Sequence, residues 1–149
     1  MLTHASVVSG QCKKKRKTDM SLEIEKKVIE RFVVKTKHDR YLTFLKNDKT
    51  RKKFTKELSH FRDLCLEQFE EVKSDERKII KDRISHLGNT KNCYLISENF
   101  ELDKKTLDIE TALNKTIGYG MGTFIVFGDA DIVYYEAEGP DKRWISKPR

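Results

Sequence analysis

Between residues 92 and 145 the hydrophobic pattern changes period in a fixed order, and that order restricts the fold more than any other feature of the chain. Asn92-Cys93-Tyr94-Leu95-Ile96-Ser97 is a short apolar run in which both alternating sets of side chains are apolar at the centre. It reads as an internal strand. A helix at residues 108–117 follows, and Leu107 just ahead of it with Ile109, Leu113 and Ile117 can form one face over a sheet. Gly118-Tyr119-Gly120-Met121-Gly122 follows, and two apolar strands at 123–127 and 132–137 flank Gly128-Asp129-Ala130-Asp131, a hairpin turn composition. A second turn, Gly139-Pro140-Asp141-Lys142, leads into a short strand at Arg143-Trp144-Ile145. The expected architecture is α+β, with a mostly antiparallel C-terminal sheet of three or four strands.

The preceding residues carry helical periods. Leu22, Ile24, Val28, Ile29, Phe32 and Val33 form one face, and Tyr41, Leu42, Phe44 and Leu45 a second, broken by Asn47-Asp48. A third helix starts at Asp48 or Thr50 and presents Phe54, Leu58, Phe61, Leu64 and Cys65. Ser74 caps a fourth, with Ile79, Ile80, Ile84 and Leu87 inward and Gly88 at its end. This helical half, residues 20–90, is expected to pack on one face of the sheet formed within 91–149. Together they make a single domain at 20–149, preceded by a disordered basic tail at 1–19.

Charge divides along the same line. The formal net charge of +7 is the sum of +4 in residues 1–19, +5 in 20–90 and −2 in 91–149. The basic character therefore belongs to the tail and the helical half. No apolar run reaches the ~20 residues of a membrane span, and the first residues lack a secretory pattern. Three cysteines without a close pair fit a reducing, cytoplasmic setting.

Each motif with a chemical reading has a structural one beside it. Lys13-Lys14-Lys15-Arg16-Lys17 offers phosphate contacts without sequence reading, or a solvated tail. Arg51, Lys52 and Lys53, with Lys56, sit at the start of the third helix, where cations oppose the helix dipole. That misplacement points to nucleic acid or an acidic partner. Gly118, Gly120 and Gly122 resemble a phosphate loop, but they run from a helix into a strand, so the helix dipole has the wrong sign. They read instead as a helix cap and a corner of close backbone approach. Asp131 with Glu136 and Glu138 is an incomplete metal-nuclease set, and charge protecting an edge strand accounts for it better. His60 with Cys65 or Cys93 lacks zinc-ligand spacing, so no metal or cofactor is expected. Ser97, Glu98 and Asp103, at a strand end, form a candidate rim with the glycine corner, faced by Tyr135, Glu136 and Arg143.

Cys93-Tyr94-Leu95-Ile96-Ser97-Glu98, Leu102-Asp103, Gly118-Tyr119-Gly120-Met121-Gly122-Thr123 and Tyr134-Tyr135-Glu136-Ala137-Glu138-Gly139-Pro140 resemble a small family of uncharacterised bacterial proteins. The resemblance extends over residues 49–147 and includes Lys53-Phe54 and Leu58-Ser59-His60-Phe61. It implies a bacterial cytoplasmic setting and supplies no catalytic residue to carry over. Three functional expectations follow. The first is a non-catalytic interaction or regulatory module with a protein partner and a surface at Ser97, Glu98, Asp103, Gly118, Gly120, Gly122 and Tyr135. The second is a nucleic-acid-associated protein using the tail with Arg51, Lys52 and Lys53. The third is a hydrolase or nuclease centred on His60, Glu98, Glu136 and Arg143, which requires those four to converge.

Overall fold

The computed structural model describes residues 17–88, 91–139 and 142–148. Six strands, β1 (Phe69–Glu71), β2 (Asn92–Ser97), β3 (Thr106–Asp108), β4 (Thr123–Phe127), β5 (Ile132–Glu136) and β6 (Arg143–Ser146), form one sheet. Their order is β1-β6-β5-β4-β2-β3, and every neighbouring pair is antiparallel. The expected three or four strands are therefore too few. The two additional strands are the edges, each only three residues long, and so short a segment carries no alternation to read. Glu70 and Glu71 further hide β1, although its backbone pairs in register with β6.

Five α-helices accompany the sheet: α1 (Lys17–Phe32), α2 (His38–Leu45), α3 (Asp48–Thr55), α4 (Arg77–Leu87) and α5 (Ile109–Thr116). The first begins inside the segment expected as tail, and residues 1–16 lie outside the described part. The helices do not share one face of the sheet. Val28, Ile29 and Phe32 of α1, Tyr41 of α2 and Phe54 of α3 pack on Tyr94, Ile96, Phe124, Val126, Val133 and Tyr135. On the opposite face Ile80 and Ile84 of α4 with Ala112 and Leu113 of α5 cover Leu95, Ile125, Phe127 and Tyr134. The result is three layers with the sheet in the middle. Its central strands are apolar at both parities because both faces are covered.

The third helix is shorter than its period suggests. α3 stops at Thr55, tightens to a 3-10 turn at Lys56–His60, and turns extended at Phe61. Leu58, Phe61 and Leu64 are nevertheless buried, since a spacing of three suits a 3-10 turn as well as an α-helix. Leu64 ends in an isolated bridge to Val33. The turn is forced by what lies beneath it. The backbone at Leu58 and Ser59 rests directly on Gly122, and a Cβ there would stand 2.1 Å from the Leu58 carbonyl carbon. Ring contacts Tyr41–Phe54, Phe54–Phe61, Phe61–Phe124 and Phe124–Tyr135, with centroids 5.1–6.0 Å apart, continue the packing from helix to sheet. At α4 the N-cap is Glu76, and Ser74 instead accepts from the Glu76 amide within the preceding turn.

Candidate functional site: the rim where β2 ends and β4 begins

Cross-strand register lines up Ser97, Thr123, Glu136 and Arg143 in one row across β2, β4, β5 and β6. All four are buried, and by alternation all point to the α4–α5 side. Ser97 Oγ and Thr123 Oγ1 are 2.7 Å apart. Glu136 accepts from the Tyr134 hydroxyl at 2.6 Å, from Arg143 Nε at 3.5 Å and from the Gly118 amide at 3.0 Å. Burial, reinforced by the Glu136 carboxylate, raises the Tyr134 hydroxyl above its ordinary pKa, so it stays a neutral donor. A buried carboxylate and arginine therefore hold the start of the glycine corner.

A second buried cluster holds the neighbouring loop, residues 98–105. Arg51 on α3 donates to both oxygens of Glu25 on α1, at 2.9 and 2.6 Å. It also donates to both oxygens of Asp103, at 2.6 and 3.0 Å. Tyr94 adds a bond to Glu25 at 2.7 Å. Burial alone would lower the Arg51 pKa, but the hydrogen bonds and charges of Asp103 and Glu25 outweigh it and hold the guanidinium above its ordinary value. Asp103 in turn accepts from the Ser97 amide at 3.0 Å. Four further bonds close the loop on itself, from the Glu101, Leu102, Asp103 and Lys105 amides, and the Asn99 amide donates to Ser97 Oγ at the strand end. Lys104 takes a left-handed backbone (φ 67°) and reaches Asp48 of α3 at 2.7 Å.

The tips of these two tethered turns carry aromatic rings in water. Phe100 is 84 % exposed at the head of the loop, and Tyr119 is 64 % exposed between Gly118 and Gly120. Both glycines have left-handed backbones, φ +88° and +66°, which lets so tight a corner form. The corner and the loop are joined by Glu98, which accepts from the Gly122 amide at 3.2 Å and donates its own amide to the Gly122 carbonyl at 2.9 Å. Phe100 stands between two hollows. One, of about 610 Å³, is bounded by Lys52, Lys56, Ser97 and Asp103. The other, of about 560 Å³, is bounded by Lys105, Lys115 and Tyr119.

The structure brings Ser97, Glu98, Asp103 and the glycine corner to one rim. Tyr135 does not belong there. It is buried among the N-terminal helices, donating to the Leu58 carbonyl at 2.6 Å and accepting from the Phe61 amide at 3.2 Å, and burial pushes its hydroxyl up to about 12. Arg51 is likewise internal, committed to Glu25 and Asp103, so it is no surface contact for nucleic acid. Lys52 and Lys53 fall in the last turn of α3 and not at its start, so they suit the helix dipole they were expected to oppose, and Lys53 lies over the Phe44 ring at 5.6 Å. The four residues nominated for catalysis do not converge. His60 is 70 % exposed on Glu138, Glu98 turns to the Gly122 amide, and Glu136 with Arg143 forms the buried pair. Asp131 and Glu136 sit at opposite ends of β5, which separates the nuclease set. Cys93 is buried, and burial pushes its thiol up to about 12. Among the described residues no three His, Cys, Asp or Glu side chains gather to hold a metal, and no helix is long and apolar enough to cross a membrane.

Glu25, Phe100 and Tyr119 escaped the reading from sequence, although two signals were present. Glu25 occupies the inward position before Val28, Ile29 and Phe32, and Arg51 the same position before Phe54, Thr55 and Leu58. Opposite charges in phase with two buried faces announce a buried pair. No protein family matches the chain, and neither a curated protein nor a solved structure resembles it at a significant level.

Proposed function

We propose that this protein is a non-catalytic interaction module whose binding surface is the rim formed by residues 98–105 and 118–122. The observation that carries the reading is that Phe100 and Tyr119 are presented to water on turns held by partly buried hydrogen bonds. An exposed aromatic on a floppy tip can fold back on the protein, whereas one on a tethered turn is already placed for a partner. The side chains with chemical potential support the same reading. Arg51, Asp103, Glu136 and Arg143 are spent on positioning the two turns. The bacterial cytoplasmic setting implied by the family resemblance belongs to the same proposal.

A photoreactive benzoylphenylalanine at position 100 tests it in cells. The expected result is an adduct that disappears when Tyr119→Ala is added and is absent when the same group replaces Leu66, an exposed apolar residue before β1. Equal labelling from both positions, or none from position 100, refutes a binding rim.

A further inference from the structure

Charge at the rim is uneven once its internal pairs are set aside. Arg51 is neutralised by Glu25 and Asp103, Lys104 by Asp48, and Glu98 is turned to the Gly122 amide. Lys52, Lys56, Lys105 and Lys115 remain exposed with no carboxylate partner among the described residues. Glu101 is the exposed acid bordering the second hollow. Setting aside the paired Lys104, two lysines border the hollow on each side of Phe100, and Tyr119 borders the second with Lys105 and Lys115. The rim thus alternates aromatic faces with exposed cations.

We infer that the partner at this rim is single-stranded nucleic acid, its bases stacking on Phe100 and Tyr119 and its phosphates neutralised by Lys52, Lys56, Lys105 and Lys115. The inference rests on the binding-rim reading above and names the partner's chemistry. Single strands offer the two groups this surface can use, at a short regular repeat: an unpaired π-face and a phosphate. An acidic peptide would satisfy the lysines and leave both rings without a stacking partner. A duplex would offer phosphates but keep its bases stacked on one another. Lysine ammoniums and ring faces do not read base edges, so recognition is tolerant of sequence. DNA and RNA share the chemistry, and the sugar is decided by comparing them.

The test uses the full chain with fluorescein-labelled oligo-dT, oligo-rU and a duplex control, read by anisotropy against salt, and with an oligonucleotide carrying 2-aminopurine. Binding of at least one single strand in preference to duplex is expected. Phe100→Ala and Tyr119→Ala should each weaken it by about 5- to 150-fold, the range for losing one stacked base. Phe100→Trp should restore affinity. Both positions are solvent-facing, so melting temperatures should not move, and the 2-aminopurine emission change should vanish in the double alanine variant. Lys52→Ser with Lys56→Ser should reduce the magnitude of the log–log salt slope by about 1.4, two phosphates' worth on a single strand. Affinity that survives the double alanine variant, whether from the basic tail or elsewhere, overturns the inference. So does the absence of binding at low salt, or equal affinity for duplex. The position-100 adduct separates the two levels. An adduct resistant to nuclease and lost with protease leaves the binding rim standing and removes nucleic acid as its partner, while no adduct removes both.

Discussion

Replacing Gly122 with alanine tests the packing that creates the rim. A Cβ at this position would lie 2.1 Å from the Leu58 carbonyl carbon, 2.3 Å from its oxygen and 2.3 Å from the Ser59 nitrogen. Ordinary carbon contacts begin near ~3.5 Å, so one backbone must move by more than about 1 Å. Neither is free to move. The Leu58 carbonyl accepts from Tyr135 at 2.6 Å, the Ser59 carbonyl accepts from the Glu138 amide at 2.9 Å, and the Gly122 carbonyl accepts from the Glu98 amide at 2.9 Å. Overpacking against side chains costs about 1–3 kcal/mol, and a clash between two tethered backbones belongs at or above the top of that range. For a chain of this length about 3 kcal/mol lowers the melting temperature by roughly 10 °C. Gly118→Ala and Gly120→Ala meet nothing within 4 Å, and their cost is the left-handed backbone alone, about 1–2 kcal/mol each. The prediction is therefore an order, read by circular dichroism on heating: Gly122→Ala melts lowest, although Gly118 and Gly120 are the glycines with positive φ. A Gly122→Ala melting temperature at or above that of Gly120→Ala would refute the close approach and the three-way anchoring inferred from it.

Three further outcomes follow from the buried cluster at Arg51, the cap of α5 at the far end of β2, and the bond that joins the two tips. Arg51→Met should cost about 3–5 kcal/mol in urea denaturation, because it strands the buried Glu25 carboxylate; adding Glu25→Met should recover a large part, and strict additivity of the two would disprove the coupling. Asp108, the N-cap of α5, has a pKa held below its ordinary value by hydrogen bonds from the Thr111 hydroxyl and amide. A lowered folded-state pKa stabilises above the unfolded value and is lost as pH falls through the folded one, so the melting difference between wild type and Asp108→Ala should shrink below about pH 4; a gap constant down to about pH 2 would contradict this. Glu98→Ala removes the side-chain bond to the Gly122 amide that joins the two tips, so rim binding should fall with little change in melting, and a double-mutant cycle with Tyr119→Ala should be non-additive.

The central strands, the hairpin and α5 were legible because each carries a full period of its own kind. The edges were not, since three residues such as Phe69-Glu70-Glu71 become a strand only by pairing with β6. That the sheet is covered on both sides was written in the two apolar parities of residues 93–96, yet grouping the helices by position in the chain placed them together. Grouping by neighbourhood also misplaced Arg51. It adjoins Lys52 and Lys53, but one residue turns a helix by about 100°, so it points inward while they point out. Phe100 and Tyr119 were harder still. A lone aromatic in a polar or glycine-rich turn has no period, and only the backbone bonds that tether its turn distinguish a presented ring from a buried one.

The buried polar groups and the exposed aromatics explain each other. A buried arginine–carboxylate pair seldom stabilises a fold more than apolar residues of the same volume would, so two of them near one end of one sheet call for a reason beyond stability. Each pair ends on a backbone amide at the foot of an aromatic tip: Arg51 and Asp103 at the Ser97 amide below the Phe100 loop, Arg143 and Glu136 at the Gly118 amide below Tyr119. An apolar replacement could fill either space but could not accept those N–H groups, and both turns would then lose their direction. Holding the tips costs ordering entropy at folding rather than at binding, which leaves more of the contact energy available as affinity. Glu98, Glu136 and Arg143, which look catalytic in the sequence, are in this reading positioning residues, and the rings they position are the surface that meets the partner.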